Sequence, residues 1–299
     1  MPRATTSAAQ SAFRTALAWE EYRTGSRLDT AASVGLPLWE TTLSQELWLA
    51  LATNPATRSR LRIRVYSQIE EGVNGADWAW SFTETGSSTL MPLLVQAKRL
   101  WDQGYAVNQA AGTITQAERL SKYAQQHGIP AVYAFYNPQS VAAGLAQDCP
   151  WESALCQLGG IAIADAHEVA AIASHSKRKS IKPTSTFPTS LGLSIAEVAW
   201  PLSCALCCGT SHSWPSGDFP AAVGEALKAS SVVGTTRVDQ QSPFVAGLRE
   251  AVLELRESAG EAETEHWADE WPDRPRAAGA FLAEFGLSGL VSVDIETRN

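Results

Sequence analysis

The chain has 299 residues, of which 45% are hydrophobic and 18% charged, and its formal net charge at pH 7 is −8. This length and composition allow one large buried core or two modest ones. The sequence contains no run of eighteen apolar residues and no apolar leader at its start, so we expect neither a membrane span nor a secretion signal. Five cysteines, an odd number, favour a reducing cytoplasm over a disulfide framework.

In the first half of the chain, the spacing of apolar residues predicts alternating helices and strands. The helices are expected at 8–24, 39–53 and 113–127, and the strands at about 61–70, 76–84, 90–99 and 131–136. From residue 39 onward the order is a helix, a three-strand meander, a helix and a strand. This order predicts an α/β core.

The second half of the chain has a less regular pattern. A short strand is expected near 160–164, followed by helices near 165–174, 194–208, 220–229 and 244–258. We therefore expect an N-terminal helical segment at 1–37, a main domain at 38–212 and an accessory, mostly helical region at 213–299.

Two of the predicted strands carry polar side chains within an apolar pattern. Trp78 and Trp80 alternate along the first strand, so Asp77 should lie on the opposite face. Gln96 and Lys98 are two residues apart on the second strand and should share a face. The short turn between the strands suits a hairpin, which would bring the three polar side chains to one place.

An acid, an amide and an ammonium group at one place suit the metal-assisted hydrolysis of a phosphodiester. A carboxylate such as that of Asp77 supplies the hard oxygen that Mg²⁺ prefers. A lysine such as Lys98 can orient or deprotonate the attacking water, or bind a phosphoryl oxygen. The plain alternative is a hairpin whose Lys98 is merely solvated.

The wider pattern resembles a known superfamily. The order Glu40, Asp77 and Gln96-Ala97-Lys98 resembles the PD-(D/E)XK, or restriction-endonuclease-like, nucleases in a Q-x-K form. More closely, several phrases resemble a bacterial family catalogued as a domain of unknown function. These phrases are Glu40-Thr41-Thr42-Leu43-Ser44, Glu71 before Gly75-Ala76-Asp77-Trp78, Gln96-Ala97-Lys98-Arg99-Leu100, Tyr105, Gln116 and Tyr133-Ala134-Phe135-Tyr136-Asn137. The resemblance covers about residues 35 to 210.

The resemblance implies a restriction-endonuclease-like α/β core with additional C-terminal helices, and it implies roles for four residues. Asp77 would be the metal ligand, Gln96 a weaker ligand and Lys98 the catalytic lysine. Glu40 would be the acid contributed by the first core helix and a further metal ligand. The implied cofactor is Mg²⁺ or Mn²⁺.

Three further residues are secondary candidates for this site, namely Glu71, Tyr105 and Gln116. A helix after the catalytic lysine often carries a glutamine in related nucleases. A plain surface position for Gln116 is the simpler explanation. Glu46, on the same predicted helix as Glu40, is a rival for the helix acid.

The distribution of charge bears on nucleic-acid binding. The first 148 residues carry twelve basic and twelve acidic side chains, so the acidic excess lies in the rest of the chain. Arg62 and Arg64 share one face of a predicted strand, and Arg99 and Lys122 lie close to the candidate site in sequence. These four side chains could contact a phosphate backbone. A solubilising edge strand explains the strand arginines equally well.

A cysteine cluster offers a different site. Cys204, Cys207 and Cys208 with His212, and with Cys149 and Cys156 elsewhere, are ligand types that bind zinc. However, the cluster lies in an apolar helical pattern without a second C-x-x-C motif. Buried reduced cysteines are the favoured interpretation.

Together these features predict a magnesium-dependent endodeoxyribonuclease in the cytoplasm. The resemblance associates it with bacterial restriction or anti-phage defence, with DNA as substrate. Other defence-system proteins or further copies of the chain would be its partners. The competing class is a non-catalytic nuclease-fold module that binds nucleic acid or a partner protein. The neutral side chain of Gln96 and the net negative charge of the chain favour this class.

Overall fold

The structure, a computed structural model, contains a central sheet with helices on both faces. It describes residues 8–55, 57, 61–65, 74–84, 90–101, 104–107, 110–111, 114–142, 159–178, 195, 197–207, 219–229, 238, 240–261, 280–281, 285 and 289–295. Several residues singled out in the sequence lie outside these ranges, namely Glu71, the turn at 85–88, Cys149, Cys156, Cys208 and His212.

The strands follow the predicted alternation of side chains. They are β1 (Leu61–Val65), β2 (Trp78–Glu84), β3 (Leu90–Trp101), β4 (Gly104–Tyr105), β5 (Ala110–Ala111), β6 (Ile114–Thr115), β7 (Ala131–Tyr136), β8 (Ile161–Asp165), β9 (Trp200–Pro201) and β10 (Gly289–Ile295). Within the described residues, seven strands form one sheet in the order β1-β10-β2-β3-β7-β8-β9, and β4 pairs with β3 as an eighth strand. The mixed α/β class predicted from the sequence is confirmed.

Most of the helices begin close to their predicted positions, but the prediction of one helix at 194–208 is wrong, because Trp200–Pro201 form strand β9 and the helix that follows it begins only at Leu202. The helices are α1 (Ala8–Ser33), α2 (Glu40–Thr53), α3 (Gln116–His127), α4 (Gln139–Ala142), α5 (Ala166–Arg178), α6 (Leu202–Cys207), α7 (Phe219–Ala229) and α8 (Pro243–Glu261). In α3 the local causes are clear, because Thr115 and Glu118 form a capping box and Gly128 ends the helix at φ 61°. No helix in the described ranges is both long and apolar enough to cross a membrane.

The predicted three-strand meander is wrong at its first strand. β2 and β3 are antiparallel neighbours, with Trp78 opposite Val95. However, β1 does not pair with β2, because β10 lies between them, antiparallel to β1 and parallel to β2. The region expected to be accessory and helical therefore supplies helices α7 and α8 and also an inner strand. A partner so distant in the chain leaves no trace in local periodicity.

Each face of the sheet has its own core. One face packs against α3, α5 and α8, and the other packs against α1, α2, α6 and α7. Along β3 the side chains alternate, with Leu94 in the first core and Val95 in the second. Gln96 and Lys98 follow Leu94 by two and four residues on the same strand, so their side chains lie on the same face as Leu94, the α3 side.

Helix α1 is longer than predicted and passes very close to the start of β8. A Cβ atom at Gly160 would lie 1.9 Å from the carbonyl oxygen of Glu21 and 2.6 Å from the backbone nitrogen of Gly25. We therefore expect Gly160→Ala to lower the free energy of unfolding by roughly 3 kcal/mol, because backbone atoms must move apart. Urea unfolding measures the change.

The matched control for that substitution is Gly224→Ala in α7. A Cβ atom there would meet only the sulfur and methyl group of Met91, at 3.6 and 3.8 Å. Alanine also favours the helix, so this variant should be neutral or slightly stabilised. Equal unfolding midpoints for Gly160→Ala and the wild-type protein would show that α1 is not docked this closely.

Candidate active site

Asp77 is held against β3 by hydrogen bonds from two donors. Its Oδ2 accepts the side-chain amide of Gln96 at 2.6 Å and the backbone N–H of Ala97 at 2.7 Å. Its own N–H donates to the carbonyl of Val95 at 2.8 Å. The Asp77 side chain therefore lies beside Gln96, on the face opposite Trp78, as the alternation predicted.

The amide of Gln96 connects Asp77 to helix α3. Gln96 is only 2% exposed, and its Oε1 accepts a hydrogen bond from Nε2 of Gln116 at 2.7 Å. Two hydrogen bonds thus link the side chains of Asp77, Gln96 and Gln116 in a row, which we call the acid–amide chain. Gln116 is therefore a neighbour of the site rather than a plain surface residue.

Lys98 lies on the same face of β3 and is 6% exposed. It faces Phe135 across the β3–β7 register. The alternative of a solvated lysine is therefore wrong. Burying an ammonium group is costly unless polar or negative groups compensate it, so the burial of Lys98 requires such groups around it.

Of the two candidate acids on α2, Glu40 reaches the site. Its Oε1 accepts the backbone N–H of Arg99 at 3.1 Å, next to Lys98 in the chain. Glu46 instead forms an ion pair with Arg27 of α1 at 2.9 Å. The packing of α1 on α2 thus separates the two acids, which the sequence alone left as rivals.

Tyr136 lies within the electrostatic reach of both carboxylates. Its hydroxyl is hydrogen-bonded to Oγ of Ser44 at 2.8 Å. Burial raises the pKa of this phenol above its ordinary value, the Ser44 bond lowers it, and the negative charges of Asp77 and Glu40 raise it further. Both carboxylates therefore act on one hydroxyl group.

Tyr133 is a neighbour of the site that sequence reasoning missed. It is fully buried and lies opposite Gln96 in the β3–β7 register. Burial, and then the charge of Asp77, raise the pKa of its phenol, so the hydroxyl keeps its proton. That hydroxyl has no hydrogen-bond partner within the described part of the chain. Alternation places Tyr133 on a face of β7, but only the strand order places it beside Gln96.

The two tyrosines of β7 make a matched pair for a stability experiment. Tyr133→Phe should be neutral or stabilising by about 1 kcal/mol, because it removes a buried hydroxyl without a described partner. Tyr136→Phe should destabilise by about 1 kcal/mol, because it breaks the bond to Ser44. Urea unfolding of both variants checks the contrast. Equal losses would show that the Tyr133 hydroxyl is also paired.

Of the remaining candidates, the structure describes the side chains of Tyr105 and Lys122. Tyr105 packs its ring 4.5 Å from that of Phe135 and donates its hydroxyl to Oδ1 of Asn137. Burial raises the pKa of this phenol, and it belongs to the core. Lys122 is exposed on α3. Arg62 and Arg64 lie in β1 beside β10, and their side chains are outside the described part of the structure.

The donors at this corner fit a weak site for a hard divalent cation. Among the described residues, no group of three or more His, Cys, Asp or Glu side chains could hold a metal ion. The oxygen donors here are the carboxylates of Asp77 and Glu40 and the amide of Gln96. Mg²⁺ commonly uses one or two carboxylates and completes its shell with water and substrate phosphate. This donor set matches that requirement.

The orientation of Gln96 matters for such a cation. Its NH₂ group faces Asp77 and its oxygen faces Gln116. A half-turn of both amides exchanges nitrogen and oxygen without changing their shape, and the oxygen of Gln96 then faces Asp77. Zinc binding by the cysteine cluster is the less favoured interpretation, and the one thiol of the cluster whose side chain the structure describes, that of Cys204, is buried in α6.

The fold and the site define a mixed α/β protein that gathers two carboxylates, an amide pair and a buried lysine at one corner of its sheet. The chain belongs to the family described as "Family of unknown function (DUF6615)", whose model matches residues 13–278. No curated protein and no solved structure matches the chain. Membership of an uncharacterised family, expected from the sequence, is confirmed. The match extends well beyond residues 35 to 210, into α1 and the C-terminal helices.

Proposed function

We propose that this protein is a divalent-cation-dependent nuclease that hydrolyses phosphodiester bonds in DNA. The observation that supports this most is the contact between Asp77 and Gln96 on the strand face that also carries the buried Lys98. Glu40 adds a second carboxylate at the same corner through its bond to the backbone of Arg99. An acid, a polar oxygen and a positive charge are the groups that phosphodiester hydrolysis requires.

Each residue has a distinct part in this proposal. Asp77, Glu40 and the turned amide of Gln96 would hold Mg²⁺ or Mn²⁺, which when bound supplies a more acidic water and a positive charge for the phosphate. Gln116 holds the amide of Gln96 in place. The ammonium of Lys98 orients the attacking water or binds a phosphoryl oxygen, and its burial strengthens that interaction.

The finer assignment to the PD-(D/E)XK superfamily is part of the proposal. It is supported by the order of elements around the site: α2, the antiparallel pair β2 and β3, then α3, then β7 parallel to β3. The insertion of β10 between β1 and β2 is a departure from a simple meander. A role in restriction or anti-phage defence, with other defence proteins as partners, rests on the sequence resemblance alone.

Cleavage assays test the function directly. Purified protein is incubated with supercoiled plasmid and linear DNA in the presence of Mg²⁺, Mn²⁺ or a chelator. We expect cleavage with either ion, at least as fast with Mn²⁺ because it stands higher in the affinity order, and none with the chelator. Cleavage that persists in the chelator would contradict the proposal.

The rival function is a non-catalytic nucleic-acid-binding module. The observation that favours it is the neutral Gln96, which donates to Asp77 where a second carboxylate would bind a cation more strongly. Oligonucleotide binding without any cleavage in Mg²⁺ or Mn²⁺ is the outcome that this rival predicts.

The charge at position 96 gives a test of the cation site that is independent of cleavage. In Gln96→Glu, a second carboxylate replaces the donor that lies 2.6 Å from Oδ2 of Asp77. Repulsion should lower the melting temperature of the cation-free variant by several degrees, and Mn²⁺ should raise it more than in wild type. Differential scanning calorimetry with and without Mn²⁺ measures both effects.

Gln125→Glu is the matched control, because Gln125 is exposed on α3. Its melting temperature and its response to Mn²⁺ should equal those of wild type. An equal response to Mn²⁺ in all three proteins would place the cation away from Gln96.

A further inference from the structure

A pair of tryptophans, one exposed and one half-buried, lies beside the candidate site. Trp39, the last residue before α2, is 59% exposed. Its ring centroid is 5.5 Å from that of Trp101 at the end of β3, and the planes are tilted by 58°. We call these two residues the tryptophan pair. The exposed indole of Trp39 offers an aromatic face on which the ring of another molecule can stack.

A cation is fixed next to the tryptophan pair. The guanidinium carbon of Arg99 lies 3.9 Å from the centroid of the Trp101 ring, which is a cation–π contact. The same guanidinium donates a hydrogen bond to the carbonyl oxygen of Leu38. Arg99 is thus held in one place, with its charge beside the aromatic surface.

The tryptophan pair lies next to the candidate site through Glu40. Trp39 adjoins Glu40, whose carboxylate accepts the backbone N–H of Arg99. Trp101 follows Lys98 by three residues at the end of β3, roughly 10 Å along the strand at about 3.3 Å per residue, and the odd spacing places it on the other face of the strand. A short stretch of a nucleic-acid strand bridges such a distance. A strand that passes around the end of β3, with a phosphate beside Lys98, then has a neighbouring base on the side of Trp39.

The chemistry of the pair favours an unpaired nucleobase as the ligand. Aromatic faces beside arginine bind bases by stacking, and every base has a face to offer. In a duplex those faces are covered by neighbouring base pairs, so a single strand offers them and a blunt duplex does not. A net charge of −8 also disfavours the long duplex contacts that depend on many neutralised phosphates.

We propose that the tryptophan pair is a base-stacking site and that the protein acts on nucleic acid with an unpaired segment. The inference rests on the proposed function, because it places a phosphate of the same strand beside Lys98. It adds the substrate class, which is a single strand, an overhang or a loop.

Oligonucleotide binding tests the inference. Fluorescence anisotropy is measured in a chelator, so that nothing is cut, with labelled single-stranded DNA, single-stranded RNA and a blunt duplex of one sequence. Wild type should prefer a single strand to the duplex, and a preference between DNA and RNA identifies the sugar. Trp39→Ala should bind the single strand roughly five- to 150-fold more weakly, as expected for the loss of one stacked base.

Two other substitutions separate stacking from a general apolar contact. Trp39→Phe keeps an aromatic face and should retain much of the affinity, whereas Trp39→Leu keeps apolar bulk and should bind as weakly as the alanine variant. The control is Trp19→Ala on α1. Trp19 is 54% exposed and contacts the edge of Tyr22, and its loss should leave binding unchanged.

Several results would overturn the stacking site. They are unchanged affinity in Trp39→Ala, full affinity in Trp39→Leu, tighter binding of the blunt duplex, and no oligonucleotide binding by wild type. Altered self-association of Trp39→Ala in sedimentation velocity, with oligonucleotide affinity unchanged, would assign the surface to a protein contact instead.

The binding assay also separates this inference from the proposed function. If wild type never cleaves DNA but Trp39→Ala loses single-strand affinity, the stacking site stands and the nuclease proposal fails. If cleavage depends on Asp77 but affinity does not depend on Trp39, the nuclease proposal stands and the stacking site fails.

Discussion

Asp77→Asn is expected to reduce DNA cleavage by at least about a thousandfold, because it removes the central negative charge from the cation site. Asparagine keeps the shape of the side chain, and its oxygen can still accept the N–H of Ala97. The free energy of unfolding should therefore change by less than about 1 kcal/mol. Plasmid cleavage in Mn²⁺ and urea unfolding are the two measurements.

Alanine is the less informative substitution at Asp77. Asp77→Ala leaves the buried N–H of Ala97 without its acceptor, which costs about 1–3 kcal/mol. A loss of cleavage could then result either from the missing carboxylate or from a destabilised β2–β3 pair, and the assay would not separate the two causes. The carboxylate is thus part of the fold as well as of the proposed site.

Asp29→Asn is the matched control for the asparagine variant. The Asp29 carboxylate of α1 likewise accepts one backbone N–H and one side-chain donor, both from Ser140, at 2.9 and 2.6 Å. This variant should cleave DNA at the wild-type rate. Wild-type cleavage by Asp77→Asn would remove Asp77 from the proposed mechanism.

Lys98→Met is expected to reduce cleavage by about a hundredfold to ten-thousandfold while leaving Mn²⁺ binding intact. Methionine replaces most of the volume of this buried side chain but carries no charge and no proton. Loss of a nearby positive charge should, if anything, strengthen the binding of a cation. Calorimetric titration of Mn²⁺ and single-turnover cleavage measure the two effects separately.

The contrast with Asp77→Asn makes this prediction specific, because Asp77→Asn should lose both Mn²⁺ binding and cleavage. Lys228→Met serves as the control, since Lys228 is exposed on α7 and pairs only with the exposed Glu225 in the described structure. A Lys98→Met protein that cleaves DNA as fast as wild type would contradict the role given to Lys98.

Much of the candidate site could be predicted from sequence because it depends on local periodicity. Side chains alternate with a period of two along a strand, so Asp77 had to face away from Trp78, and Gln96 and Lys98 had to share a face. The pairing of β2 with β3 followed from their closeness in the chain. These facts suffice to bring the acid, the amide and the lysine together.

The choice between Glu40 and Glu46 illustrates what periodicity leaves open. Both acids lie on α2, and its spacing favours neither strongly. The choice depends on which neighbour each carboxylate meets, namely the backbone of Arg99 for Glu40 and the side chain of Arg27 for Glu46. Those contacts are set by the packing of α1 and β3 around α2, which no local pattern reports.

By itself, the sequence determined the α/β class, the positions of most helices and strands, and the faces that carry Asp77, Gln96 and Lys98. The tertiary structure alone decided that β10 separates β1 from β2 and that Tyr133 lies beside Gln96. The physical reason is the separation in sequence between the residues that interact. Helix caps and side-chain alternation arise among residues a few positions apart, whereas strand order is selected by the burial of whole faces across the entire chain.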